Sequence, residues 1–478
     1  MATTTTSTAP AGNSRARRAP VWLDVLTEAL LMAMVVFTPW AFGTTQPWSE
    51  HWMNIGGYAL GMLLAAKLWW RGPAACAGGD ARTRRVTDAL LVLTLAVLGY
   101  VLISALNAEF TYVAGEWRQE PRAHIGWLPH SLDRLASWHV FWNWLALAGV
   151  FWAAHDWLLG DIGSDGQPGA RRLRRLVFVL AANAALVAGE AILQRNAGTS
   201  KLLWFQATHD NPTASSQFGP YAYRANAAQF FNLIWPVALG LWWDWHQRRR
   251  RGPDWHHWLL PCVMLLVAGP LVSLSRGGAA VTLVQLGACA LLFLAGRRFS
   301  GAGWPGVVLV LAATLGAAFY LGGDELARRV QDGAADPLGG RRETYKLAAR
   351  MTADYPWFGV GPGAFGSVFQ FYRDSPADYW PGQLHNDWLE YLITFGRAGF
   401  ALLLAATGCV AGRWFTPGGL RAPWTFAACF WIALGGCVLH ARFDFPLQIY
   451  SIQFVFVLLG AALFSLSRAR PGGGPATV

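Results

Sequence analysis

Residues 171–193, RRLRRLVFVLAANAALVAGEAIL, join a cluster of arginines to a long and mostly apolar run. A helix needs about 20 apolar residues to cross the hydrocarbon layer of a membrane, and the run that starts near Leu176 has about that length. The whole chain has the same character, because 54% of its 478 residues are apolar and only 14% are charged. Soluble domains carry roughly 25% charged residues, so this composition excludes a soluble protein. The 27 Trp and 27 Phe residues fit a membrane protein, whose aromatic side chains collect at the interfaces.

Apolar runs of spanning length recur along the sequence. We therefore predict an all-α, polytopic membrane protein with about twelve transmembrane helices. The first run follows Arg15, Arg17 and Arg18 and precedes no small-residue cleavage site, which favours a retained helix over a removed signal peptide. The predicted helices start near Val21, Met53, Val86, Val140, Leu176, Ala227, Trp258, Ala279, Val307, Gly399, Trp424 and Gln448.

Positive charge is concentrated in alternate loops. The net charge is +11, and nearly all of the positive charge is arginine. Cytoplasmic loops of membrane proteins carry excess Lys and Arg, so these loops and both termini are predicted to be cytoplasmic. The arginines of this set are Arg71, Arg82, Arg84, Arg85, Arg171, Arg172, Arg174, Arg175, Arg248 to Arg251, Arg297, Arg298, Arg413, Arg421, Arg468 and Arg470.

The remaining loops are predicted to face outward, and the longest cover 107–139, 194–226 and 324–387. Long loops without spanning helices tend to be functional. Helical spacing within 324–335 and 341–355 predicts a small helical subdomain on this side. The predicted organisation is a disordered cytoplasmic tail over 1–20, transmembrane helices 1–9 with outward loops over 21–321, a periplasmic helical subdomain with the histidine motif over 322–390, transmembrane helices 10–12 over 391–467, and a cytoplasmic tail over 468–478.

Several arginines lie on the outward side, where few are expected, and four of them have unusual sequence contexts. Arg224 precedes a membrane helix, Arg276 lies between two apolar runs, and Arg341 and Arg342 open a helical segment in which Tyr345 shares the face of Arg341. Charges at the hydrocarbon boundary are costly unless they are paired, so each is a candidate functional residue. The planar guanidinium fork suits a phosphate or pyrophosphate group. Alternatively, Arg224 reaches lipid headgroups, and Arg341 and Arg342 form a solvated helix face.

The sharpest local feature is PGQLHNDWLEYLITFGRAGF, residues 381–400, in which His385 and Asn386 open an amphipathic helix. A helix N-terminus and nearby arginines favour a neutral imidazole, which is the form that a general base requires. The alternative is a capping or structural histidine. Asp444 is a further outward polar residue, which either pairs with an arginine or holds its own segment in place.

Motifs for metals and nucleotides are missing from the sequence. The six cysteines show no CxxC spacing, and the outward segments contain no HExxH motif and no carboxylate cluster. The glycine-rich stretch 356–366, PWFGVGPGAFG, lacks the lysine of a phosphate-binding loop, so we interpret it as a tightly packed turn. We predict neither a metal ion nor a cofactor.

At these residues the sequence resembles the O-antigen ligase and polymerase family, the Wzy-C superfamily. His385-Asn386, nine residues and then Gly396-Arg397-Ala398-Gly399 fit the family pattern H-[NSQ]-x9-G-x-x-G, and this motif is fairly specific. Ser275-Arg276-Gly277-Gly278 and Arg341-x3-Tyr345, followed by the 355–363 stretch, also match. Tyr345 stands where tryptophan is common. The resemblance covers roughly 210–450.

The resemblance implies a GT-C-like glycosyltransferase of the bacterial inner membrane with a periplasmic active site. Its donor would be a glycan on undecaprenyl pyrophosphate, and its acceptor a sugar hydroxyl of lipid A–core or of another glycan. Its partners would be these substrates and membrane lipid, with no nucleic acid. Arg224 and Arg276 are predicted to hold the pyrophosphate, and His385 to accept the acceptor's proton in an inverting transfer. Arg341 or Arg342 would assist them, while Tyr345 and Asn386 would bind substrate.

Three other functions remain open at this point. A repeat-unit polymerase or a protein O-oligosaccharyltransferase would share most of these residues, because only the acceptor differs. A transporter of an anionic lipid or polysaccharide belongs to another class. Transporters carry charges near the midplane and show internal repeats, whereas here the charges gather at one face and no repeat is evident.

Overall fold

A computed structural model describes residues 19–72, 81–113, 116, 118–160, 168–208, 211–248, 255–295, 312, 316, 341–373, 382–416 and 420–467. Four predictions lie largely or wholly outside these residues: the two disordered or cytoplasmic tails, the span near Val307 and the helix over 324–335.

The described part of the chain is helical, which confirms the all-α class, since 76% of the structure is helix. Short strands occur in two pairs within it: β1 (Phe110–Val113) runs antiparallel to β2 (Arg118–Pro121), and β3 (Leu420–Arg421) runs parallel to β4 (Leu466–Ser467). The helices are α1 (Val21–Trp40), α2 (Pro47–Arg71), α3 (Ala81–Leu106), α4 (Arg134–Leu159), α5 (Pro168–Ala197), α6 (Arg224–Arg248), α7 (Leu259–Val272), α8 (Arg276–Ala295), α9 (Arg341–Asp354), α10 (Phe365–Val368), α11 (Asp387–Arg413), α12 (Trp424–His440) and α13 (Tyr450–Ser465).

The apolar runs fold as helices near most of the predicted starts. Among the described residues, 5 helices are long and apolar enough to cross a membrane, namely α1, α3, α5, α8 and α11. Shorter apolar helices cover His256–Val272, Trp424–His440 and Tyr450–Ser465. The number of transmembrane helices, about twelve, therefore stays a prediction. The predicted start near Gly399 agrees with the structure to within a few residues, because α11 is broken at Gly396, whose φ of 59° and ψ of -173° are non-helical and separate the histidine-motif segment from the following membrane segment.

Helix α6 is the centre of the packing. Every residue from Ala225 to Asp244 is buried, and the helix packs against α5, α7, α8, α12 and α13. Asn232 ties it to α8: its amide donates to the Gly278 carbonyl at 2.9 Å, and its side-chain oxygen accepts from Thr282 at 2.8 Å. Because buried amides are costly unless they are hydrogen-bonded, these contacts fix α8 against α6. The starts of both helices, Arg224 and Arg276, are thereby positioned relative to each other.

A second and smaller core forms around α9, α10 and the first half of α11, with Met351, Phe365 and Leu384 buried in it. Three glycines of the 356–366 stretch have a positive φ, and the Val360 N–H donates to the Ile393 carbonyl at 2.9 Å. A Cβ at Gly361 would lie 2.1 Å from the Ser131 hydroxyl oxygen. The prediction of a tightly packed turn is therefore confirmed. That this cluster is a periplasmic subdomain stays a prediction.

Gly396 allows α11 to bend against this turn, so substituting it should destabilise the protein. A Cβ there would lie 2.4 Å from the Trp357 carbonyl oxygen, and φ lies in the left-handed region. We expect Gly396→Ala to lose at least about 1–2 kcal/mol and several degrees of thermal midpoint in detergent. Gly408→Ala in the same helix is the control, because no described atom lies within 4 Å of its Cβ position. Equal midpoints for the two variants would contradict this packing.

Candidate active site

His385 is held in an unusual backbone conformation just before α11. The Asn386 side chain accepts a hydrogen bond from the Leu389 N–H at 3.2 Å and so caps the helix. His385 itself has a φ of 58°, a region that side chains with a Cβ seldom adopt. The Tyr345 hydroxyl donates to the His385 carbonyl at 2.7 Å and restrains this conformation. Strained residues of this kind cluster at functional sites.

The turn after α12, residues 440–445, lies directly against the start of α11, and we call it the α12 turn. The Asp387 N–H donates to the Ala441 carbonyl at 2.8 Å, and the Asp387 carboxylate accepts from the Leu447 N–H at 2.8 Å. These contacts bring Asp444 to His385, with 2.9 Å between Asp444 Oδ1 and His385 Nδ1. The open question about Asp444 is thus resolved: it pairs with the histidine.

The pair has the geometry of an oriented general base. An ionised carboxylate at Nδ1 favours the proton on that nitrogen, which leaves the lone pair on Nε2. The His385 side chain is 31% exposed, whereas Asp444 is 9% exposed. The Phe445 ring packs edge-on against the imidazole, with 4.6 Å between ring centroids. The imidazole is therefore fixed in orientation but reachable from outside.

Arg341, at the start of α9, joins the same group. Its guanidinium donates to the Phe443 carbonyl at 3.0 Å. Burial opposes the charge of Arg341, but Asp444, Tyr223 and Tyr345 together outweigh this effect and raise the arginine's pKa. Burial alone would raise the pKa of Asp444, but its hydrogen bond with His385 and the charge of Arg341 hold that pKa below its usual value. The Asp444 carboxylate therefore interacts with His385 on one side and with Arg341 on the other.

Arg224 lies near this group, because the preceding residue, Tyr223, contacts Asp444 and Phe445. The Tyr223 hydroxyl is 3.4 Å from Asp444 Oδ2, and its ring stacks on Phe445. Burial and Asp444 raise the pKa of Tyr223, while Arg341 and Arg224 act in the opposite direction. Both guanidinium groups therefore lie within electrostatic range of one hydroxyl.

The start of α8, which carries Arg276, packs against the α12 turn from another direction. Arg276 is exposed at the start of α8, where Ser275 caps the helix by accepting from the Gly278 N–H at 3.0 Å. A Cβ at Gly277 would lie 2.8 Å from His440 Nε2 and 3.0 Å from the Phe443 ring. The absence of a side chain at Gly277 therefore lets the start of α8 pack against the turn that carries Asp444.

Three predicted substrate-binding residues have different environments. Tyr345 contacts His385, and Asn386 is buried as a helix cap. Arg342 is exposed on another side of α9 from Arg341. The helical spacing that placed Arg341 with Tyr345 is confirmed, and Arg341 is the one of the two arginines that contacts the α12 turn.

Arg195 was missed in the sequence. It lies at the end of α5 and donates to the carbonyls of Ala214, Gln217 and Ser273 at 2.9, 2.7 and 3.2 Å. It therefore joins the loop before Arg224 to the turn before Arg276. Its location in the outward segment 194–226 was a usable signal, because a positive charge there departs from the same loop rule.

An apolar cavity of about 340 Å³ opens beside the site. Its walls come from α3, α4, α11, α12 and α13, with Trp144, Phe400 and Phe456 among the lining side chains. Asp387, two residues after His385, also lines it. The cavity therefore has room for part of an apolar chain next to Asp387 at the start of α11.

The fold and the site are those of a helical, multi-pass membrane protein in which Arg341 and the start of α8 contact the turn that orients His385. Residues 261–404 match a family model, Wzy_C, described as O-antigen ligase. The predicted resemblance is confirmed over this range, which includes Arg276, Arg341 and His385. It supports an enzyme that transfers glycans at a membrane, of the ligase or polymerase kind. Arg224 and Asp444 lie outside the matched range, so their membership of the site rests on the structure. No curated protein matches the chain.

Removing the Asp444 charge should destabilise the protein in a pH-dependent way. We expect Asp444→Asn to lose about 2–3 kcal/mol at pH 7, because His385 and Arg341 lose their buried partner. The pKa of Asp444 is lower in the folded chain than in the unfolded chain. The stabilisation is therefore present above about pH 4 and is lost as the pH falls through the folded value. Thermal midpoints of both proteins in detergent, measured between pH 7 and pH 3, should converge at the acidic end.

The control for this experiment is Glu343→Gln. Glu343 pairs with Lys346 at 2.8 Å, but both side chains are exposed, at 72% and 63%. This substitution should leave the thermal midpoint close to that of the wild type at each of these pH values, because exposed ion pairs contribute little to stability. A gap between wild type and Asp444→Asn that stayed constant down to pH 3 would show that Asp444 does not act through its charge.

Proposed function

We propose that this protein transfers a glycan from undecaprenyl pyrophosphate to a sugar hydroxyl of lipid A–core, on the periplasmic side of the bacterial inner membrane. One observation carries the proposal: the His385–Asp444 pair lies at a turn that Arg341 and the start of α8 also contact. The arrangement supplies a base for the acceptor and cations for the leaving group. The family match over 261–404 supports the same reaction class.

The arginines act on the donor. Arg224, Arg276 and Arg341 bind the pyrophosphate oxygens, for which the guanidinium fork is suited. As the bond from the anomeric carbon to the phosphate oxygen breaks, negative charge grows on the leaving undecaprenyl pyrophosphate. Fixed positive groups stabilise this charge without rearranging, so the reaction needs no metal ion here.

The histidine acts on the acceptor. Nε2 of His385 accepts the proton of the acceptor hydroxyl as the oxygen bonds to the anomeric carbon. Asp444 holds the imidazole in the required tautomer and stabilises the imidazolium that forms. Displacement from the face opposite the phosphate inverts the anomeric centre. The apolar cavity next to Asp387 holds part of the polyprenyl chain, so that the phosphates lie at its charged mouth.

A repeat-unit polymerase or a protein O-oligosaccharyltransferase would use the same residues with another acceptor. A deletion strain separates these functions. Loss of glycan from lipid A–core indicates the ligase, shortened chains indicate the polymerase, and unmodified glycoprotein indicates the protein transferase. The family match over 261–404 favours an enzyme over a transporter.

The first test removes the base. His385→Ala should lower the transfer rate in membranes by about 10²–10⁴-fold, the usual contribution of a general base. Its thermal midpoint should fall, because the buried Asp444 loses its hydrogen-bond partner, so the rates are compared below the midpoint of the variant. His51→Ala, an exposed histidine on α2, is the control and should transfer normally. A wild-type rate in His385→Ala would exclude the base role.

The second test distinguishes a fork from a point charge. Arg276→Lys keeps the charge but loses bidentate binding, so transfer should fall at least about tenfold. Arg350→Lys, at an exposed position of α9, is the matched control and should retain full activity. Full activity in Arg276→Lys would show that Arg276 contributes only its charge.

A further inference from the structure

Three histidines meet at the end of α6 that is remote from Arg224. His246 lies in the last turn of α6, and His256 and His257 lie in the 3-10 turn Trp255–Trp258 that precedes α7. One ligand atom from each lies within 4.8 Å of the others. His246 Nδ1 and His256 Nε2 are 3.1 Å apart, and the rings of His256 and His257 are 4.0 Å apart.

This geometry is close to that of a metal-binding site. Zn²⁺ binds imidazole nitrogens at about 2.0–2.1 Å, which places ligand atoms of a tetrahedral site roughly 3.4 Å apart. Small side-chain rotations would bring the three nitrogens to such a separation. Three protonated imidazoles at these distances would repel one another, whereas three neutral ones can share a cation.

The surroundings hold the rings in place. Trp242 is buried and stacks on His246 at 5.3 Å with an interplanar angle of 17°. The same indole lies 6.2 Å from the ring of His257. Fixed rings lower the entropic cost of gathering ligands, and metal sites depend on such support. The sequence also places His246 at a helix C-terminus, where the backbone dipoles favour a cation.

Two of the described arginines in this region share a buried partner. Asp244, on the same helix, accepts from Arg174 at 2.6 Å and from Arg248 at 2.8 Å. The Asp244 side chain is 0% exposed and Arg174 is 13% exposed, whereas Arg248 is 45% exposed. The Asp244 carboxylate offsets part of the positive charge of these two arginines, so they repel a bound cation less than two isolated arginines would.

We propose that His246, His256 and His257 bind a divalent transition metal of the Zn²⁺ class. The ion would join the end of α6 to the start of α7 and leave one coordination position for water or a fourth ligand. Helix α6 has 25 residues, or about 37 Å of helix, so this site is remote from Arg224. Its role is structural and does not depend on the transfer reaction.

Metal content tests the proposal directly. The full chain is purified in detergent with a histidine-free affinity tag, stripped with EDTA, loaded with Zn²⁺ and dialysed. Elemental analysis should find about one Zn²⁺ per chain in the wild type and in His51→Ala, as the ligand set requires. His256→Ala should retain at most about a fifth of that amount, and His256→Cys should restore binding, because a thiolate is also a Zn²⁺ ligand.

Thermal melting supplies an independent readout. Zn²⁺ should raise the midpoint of the wild type by about 3 °C or more and leave His256→Ala unchanged. If His256→Ala does not fold, His257→Gln takes its place. Below its midpoint, His257→Gln should transfer glycan at the wild-type rate, which separates this site from the active site. Equal Zn²⁺ retention in wild type and variant, or none in either, would overturn the proposal.

Discussion

The hydrogen bond between His385 and Asp444 is the contact on which the rest of the site depends. Removing either partner would leave the other in a part-buried environment without compensation. Around this pair the α12 turn receives Arg341 through its Phe443 carbonyl and the start of α8 through Gly277. One short turn therefore orients the His385 imidazole through Asp444 and also contacts Arg341 and the start of α8.

Helix α6 is the central helix in the packing of the described residues. Its buried length has contacts with five other helices, and its two ends differ in chemistry. One end carries Arg224 beside the aromatic pair of Tyr223 and Phe445. The other end carries Asp244, two ion-paired arginines and a histidine cluster. A rigid and fully packed helix keeps these two regions apart while fixing each of them.

The sequence predicts what is determined locally. Apolar run length identifies the helices, since a helix satisfies its backbone hydrogen bonds within its own segment. Asn386 caps α11, and helical spacing places Arg341 with Tyr345. The sequence does not predict the partner of His385, because Asp444 is 59 residues away and meets it only through packing. Arg195 and the histidines at 246, 256 and 257 were missed for the same reason. The predicted helix start near Gly399 agrees with the break at Gly396, whose non-helical backbone separates two helical segments.

The central claim is that the arginines and His385 act together on a diphosphate-linked glycan. Its most direct test uses purified protein in proteoliposomes with a defined polyprenyl-diphosphate glycan and, separately, lipid A–core, free glycan or protein as acceptor. We expect the purified protein to form glycosylated lipid A–core and to release one equivalent of polyprenyl diphosphate. An intact donor that only changes leaflet, or no product with any acceptor, would contradict it.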